Sequence, residues 1–260
     1  PASSWAAPRC PAGSALLPHR SQSFAERMAG IADAETRAAL VAEAKTAGFL
    51  TVLGNTIEKL FYMGSGATPD YTAGDEANLI KIAEARGEHW SETFLRMSLE
   101  TNGKALFTLR MFNGDLSALS HMFESDRCFP SLGDAGAHVS QVMDAGWASF
   151  MLSHWVRDTK FFTMGQAIRR MTSMPARIVG LKDRGTLAAG MRADVNVFDA
   201  ASVAELQPEI VNDFPGGAPR FVQRSKGYKA TIVNGTISVL DGEHTGARPG
   251  SVLRHGRLAA

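Results

Sequence analysis

The stretch Pro130-Ser-Leu-Gly-Asp-Ala-Gly-Ala-His138 decides the reading of this chain. It closes a short apolar run with a carboxylate, small residues and a histidine. A strand over Arg127 to Leu132 would end at Gly133 and leave Asp134 on the rim, the end at which a parallel β/α barrel keeps its chemistry. The flanking glycines leave room there for a metal or a substrate. The same residues also suit a turn, and Asp caps helices well, so spacing alone leaves both readings open.

Outward from this stretch the texture is strand, helix, strand, helix. Ala105 to Phe112 is a short apolar run ending in Asn113-Gly114, a strand with a turn, and Leu116 to Phe123 reads as the helix that follows it. Upstream, Phe24 to Ala47 repeats apolar residues at helical spacing, as do Leu79 to Arg86 and Trp90 to Glu100, with Gly87 as the stop between the last two. Glycines and Pro69-Asp70 interrupt the stretch Leu50 to Asp75. Downstream, Val139 to Arg157 and Thr163 to Ser173 read as helices, and Pro175 opens a last short one.

From Gly185 short β-branched runs replace the helical pattern. Asn234-Gly235, between Thr231-Ile-Val and Thr236-Ile-Ser-Val-Leu240, predicts a hairpin, because both residues tolerate the positive φ of a type I′ turn.

The longer motifs resemble a known family. Thr172-Ser-Met-Pro-Ala-Arg-Ile-Val-Gly-Leu181, Arg184 to Asp199 and Val233-Asn-Gly235 are similar to the amidohydrolase superfamily. Leu132 to His138, Ser153-His-Trp-Val-Arg-Asp158 and Asp241-Gly-Glu-His-Thr-Gly246 resemble its branch of D-aminoacylases and other N-acyl-D-amino-acid deacylases, amidohydrolase family 3. The resemblance runs from about Ser23 to the end.

It implies an α/β fold, the carboxy-terminal portion of a (β/α)8 metal-dependent hydrolase barrel followed by a small all-β sandwich module. On that reading residues 1–22 are a disordered tail, 23–184 the barrel segment with insertion helices and 185–260 the β-sandwich module. Ala105 to Phe112 and Arg127 to Leu132 become the seventh and eighth barrel strands. The resemblance also implies a zinc cofactor, with most ligands outside this chain, in an amino-terminal half of the same protein. No His-x-His pair and no His-Glu-x-x-His occurs here.

Three site residues follow from the resemblance. Asp134 takes the place of the aspartate that ends the eighth strand, contacts the metal, orients the attacking hydroxide and passes its proton to the leaving nitrogen. A carboxylate within hydrogen-bond reach of the nucleophile suits that work. His138, four residues on, would position substrate or buttress Asp134, although a lone histidine there also suits a structural bond. Asn113 would bond substrate from the end of the seventh strand, although Asn-Gly is first of all a turn. His154, among Met151, Leu152 and Trp155, reads as a buried structural histidine. Ala193-Asp194 is diagnostic of the family and reads as structural. Arg169, Arg170, Arg220 and Arg224 read as solvated surface or as partners for a substrate carboxylate.

Composition limits the alternatives. The 260 residues, 45% hydrophobic and 20% charged, suffice for one large or two modest domains. With 27 basic and 26 acidic side chains, a net charge of +1 gives no electrostatic case for nucleic acid or an anionic membrane. Cys10 and Cys128 lack the spacing of a zinc knuckle or redox pair, which suggests free thiols in the cytoplasm. The expected partner is a small N-acyl amino acid or a related amide. Two other readings remain: a cyclic-amide hydrolase of the dihydroorotase or hydantoinase type, and a non-catalytic remnant or partner-dependent subunit.

Overall fold

In a computed structural model, the described residues are 3–6, 23–46, 57–110, 114–130, 133, 135 and 145–253. In chain order they form β1 (Ser3–Ala6), α1 (Phe24–Ala32), α2 (Ala34–Thr46), β2 (Leu60–Tyr62), α3 (Leu79–Arg86), α4 (Trp90–Glu100), β3 (Leu106–Leu109) and α5 (Leu116–Phe123). Next come α6 (Trp147–Phe150), which runs into a π-helix (Met151–Asp158), then α7 (Met164–Met171) and α8 (Ser173–Ile178). Strands follow: β4 (Val195–Phe198), β5 (Ala204–Glu205), β6 (Glu209–Phe214), β7 (Ala218–Val222), β8 (Ser225–Lys226), β9 (Tyr228–Val233), β10 (Thr236–Leu240) and β11 (Glu243–His244). The chain divides into two compact units of mixed helix and sheet.

The first unit comprises residues 1–116, 134–144 and 209–222. Its sheet has the order β1-β3-β2, antiparallel throughout. All four residues of β3 are buried, and Phe107 meets the rings of Phe94 and Tyr62 in a core shared with Leu60, Leu79, Met97 and Leu109. A second cluster, Met28, Ile31, Val41 and Leu95, joins α1 and α2 to α4. Phe221, on the β6–β7 hairpin, packs on Met63 and Leu106.

Local chemistry sets the helix ends. Ser23 and Glu26 form a reciprocal capping box at the start of α1, and His89 with Glu92 does the same for α4. Asn78 caps α3, which stops at Gly87 in the left-handed region. Glu88, just beyond, accepts from Arg96, Arg86 and Thr93. Those bonds, Arg96 foremost, hold its carboxyl down at about 2.

The second unit comprises residues 117–133, 145–208 and 223–260. Its larger sheet has the order β11-β10-β9-β4, again antiparallel. The predicted hairpin joins β9 to β10, with Asn234 at φ 47° and Gly235 at φ 78°. The register places Val195, Val197, Ala230, Ile232, Ile237 and Leu240 on one face. Asn196 and Thr231, on the other face, bond to each other.

Two expectations differ from what forms. Ser3–Ala6, in the expected disordered tail, is a strand on β3. Arg127 to Pro130, the described part of the expected eighth strand, is a turn followed by irregular chain. The carbonyls of Ser125 and Cys128 point at the Arg170 guanidinium, and Pro130 has no N–H for a ladder. No parallel strand pair occurs among the described residues.

Candidate functional site

Asp134, His138 and Asn113 lie outside the described residues. The geometry on view is that of side chains flanking them in sequence.

Arg110 directly follows β3, three residues before Asn113. Its Nη2 donates to the carbonyl oxygens of Tyr71 (3.2 Å) and Ala73 (2.7 Å), and its guanidinium lies 3.8 Å from the centroid of the Phe61 ring. Burial pushes its pKa down, with Asp70 and Glu76 opposing.

Arg170, on α7, holds the segment that leads toward Asp134. It is 5% exposed, far from the solvated surface arginine that the sequence also allowed. Nη1 donates to the carbonyls of Ser125 and Cys128, Nη2 to the Asp126 carboxylate, and the cation lies over Phe162. Arg169 beside it is a surface residue paired with Asp126.

The π-helix carries His154, half-buried and stacked on Phe150 at 4.8 Å, with Trp155 edge-on. Burial pushes its pKa down, with Asp158 opposing, and the ring packing agrees with a structural role. Ser153 and Arg157 both reach the β5 segment. The Ser153 hydroxyl donates to Glu205 Oε2 (3.3 Å), and Arg157 Nη1 donates to the Val203 carbonyl (2.6 Å) while Nε holds Asp158.

Glu205 is 5% exposed, and burial raises its pKa. The folded state therefore binds its proton more tightly than the unfolded chain does. The resulting stability is fully present below the unfolded value and is lost as pH rises through the raised folded value. Glu205→Gln keeps the shape without the buried charge, so above neutrality it should unfold at higher urea than wild type, by about 1 kcal/mol. Below pH 4 the two curves should converge; curves parallel at every pH would refute the assignment.

Asp194 bridges two elements of the second unit, accepting from Arg184 Nη1 (3.0 Å) and the Asn234 backbone N–H (2.8 Å). That agrees with a structural role for Ala193-Asp194. No group of three or more His, Cys, Asp or Glu placed to hold a metal occurs among the described residues. No helix among them is long and apolar enough to cross a membrane.

Sequence reading did not single out Arg110 or Glu205. Glu205 had a signal, a carboxylate between Val203-Ala204 and Leu206 in a short apolar run.

The sequence is similar to an N-acyl-D-glutamate deacylase of Alcaligenes xylosoxydans xylosoxydans, 39% identical over 110 residues, 42% of this chain and 20% of that protein. It is also similar to a dihydroorotase of Lactobacillus helveticus, 30% identical over 95 residues, 36% of this chain and 21% of that protein. The chain thus spans about one fifth of the length of the curated relatives it matches. Among solved structures, a D-aminoacylase variant in complex with copper chloride superimposes with a TM-score of 0.46 at 25% identity, covering 75% of this chain and 38% of that one. The Amidohydrolase family profile matches residues 3–239, and the chain belongs to the amidohydrolase family.

Proposed function

We propose that this chain is the carboxy-terminal part of a longer hydrolase that removes the acyl group from N-acyl-D-amino acids. The observation that carries the reading is the family match over residues 3–239 together with the 39% identity to an N-acyl-D-glutamate deacylase. In this reading β3 and α5 are the seventh strand-helix pair of a (β/α)8 barrel. Asp134 takes the place of the aspartate that ends the family's eighth strand, and residues from Gly185, apart from 209–222 in the first unit, belong to a β-sandwich module. The apolar face of the β11-β10-β9-β4 sheet supports the sandwich: Val197, Ile237 and Leu240 are 46%, 43% and 49% exposed. A second sheet would cover such a face.

By the family resemblance, most of the zinc ligands would lie in the rest of the longer protein, with Asp134 as this chain's contribution. Asp134 acts on the proton. Its carboxylate accepts the proton of the attacking water and delivers it to the amide nitrogen, which leaves as a neutral amine. His138 and Asn113 contact the substrate.

The similarity to a dihydroorotase supports a second reading, hydrolysis of a cyclic amide. A non-catalytic or partner-dependent chain is a third reading. A panel of N-acyl-D-amino acids, hydantoins and dihydroorotate, given to the longer protein, separates the three. Turnover confined to the N-acyl-D-amino acids is the expected outcome; ring opening alone would favour the second reading, and no turnover the third.

A further inference from the structure

We infer that Arg110 is the residue that holds the α-carboxylate of the N-acyl amino acid; this rests on the deacylase reading. Arg110 is half-buried, its cation lies over the Phe61 ring, and its two side-chain hydrogen bonds among the described residues go to neutral carbonyl oxygens. The carboxylates near it are committed to their own loop: Asp70 accepts from the backbone N–H and hydroxyl of Thr72, and Glu76 from the Gly74 N–H. Arg110 forms no ion pair among the described residues. A half-buried cation whose hydrogen bonds go only to neutral carbonyls gains more from a directly bonded anion than a solvated one does.

Hydrogen-bond capacity points the same way. Guanidinium carries five N–H groups. Nη2 is used by the two loop carbonyls, which pins the loop at residues 71–73, and Nε and Nη1 have no partner among the described residues. Pinning a loop occupies Nη2 and leaves N–H donors on Nε and Nη1 for a charge-assisted bond to a carboxylate oxygen. Position completes the case, because Arg110 leaves the carboxy-terminal end of β3 three residues before Asn113. On the deacylase reading, in which β3 matches the family's seventh barrel strand, that end carries the ligand.

The test crosses the residue with the substrate's charge. N-acetyl-D-glutamate and its α-carboxamide are compared in the longer protein, wild type against Arg110→Met and Arg110→Lys. Arg110→Met should lower kcat/KM for the acid by about 10- to 100-fold, chiefly through KM, and leave the carboxamide nearly unchanged. Arg110→Lys should restore part of the loss. Equal losses on both substrates would reduce Arg110 to a loop pin and overturn the proposal. If wild type hydrolyses neither compound, the deacylase reading fails. Calorimetric binding of N-acetyl-D-glutamate then tests Arg110 separately: weaker binding to Arg110→Met supports the anion site, and equal affinity rejects it.

Discussion

Asp134→Asn in the longer protein should lower turnover of an N-acyl-D-amino acid by about 10²–10⁴-fold, the usual contribution of a general acid–base group. Asparagine keeps the shape of the side chain and gives up the basicity that proton transfer needs. Wild type and variant must be compared at equal metal content, because losing a carboxylate ligand can empty a site and imitate a catalytic defect. His138→Gln should fall between Asp134→Asn and wild type. His154→Gln should act on stability, since its ring is packed between Phe150 and Trp155. Near wild-type turnover in Asp134→Asn would return Gly133-Asp-Ala-Gly136 to the status of a turn.

Arg170→Met should be the most destabilising of the single changes considered. It removes a buried cation from two backbone carbonyls and from the Asp126 carboxylate at once. Methionine fills part of the volume and bonds none of the three. Leaving buried acceptors unpaired costs about 1–3 kcal/mol, and breaking a buried ion pair about 3–5 kcal/mol. Because Asp126 is exposed, the expected loss in urea denaturation is about 2–4 kcal/mol. Arg169→Met, whose pair with Asp126 is a surface contact, should cost less than about 1 kcal/mol. Equal effects from the two would mean that burial of the Arg170 head contributes nothing.

What the sequence made legible was local. Asn234-Gly235 announced its hairpin because a type I′ turn needs two residues that tolerate positive φ, and both adopt it. The stop at Gly87 and the helices over Phe24–Ala32, Trp90–Glu100 and Met164–Met171 followed from side-chain period and terminal chemistry. The strand expected over Arg127 to Leu132 failed over its described part because a residue some forty positions away, Arg170, draws two of its neighbourhood's carbonyls out of any ladder.

The same limit hid Arg110 and Glu205. Neither residue type nor spacing reveals that a guanidinium lies on Phe61 or that a carboxyl is shut beneath Ser153. The π-helix at Met151–Asp158 was equally invisible, since an apolar helical period does not distinguish i+5 from i+4 bonding. Asp134, His138 and Asn113 rest on family motifs alone and lie outside the described residues.

Chirality tests the central claim most directly. The longer protein is given racemic N-acetylglutamate, and the free glutamate released is resolved by enantiomer. A deacylase of N-acyl-D-amino acids releases D-glutamate and leaves the N-acetyl-L-glutamate intact; release of L-glutamate, or of no glutamate at all, would contradict the account.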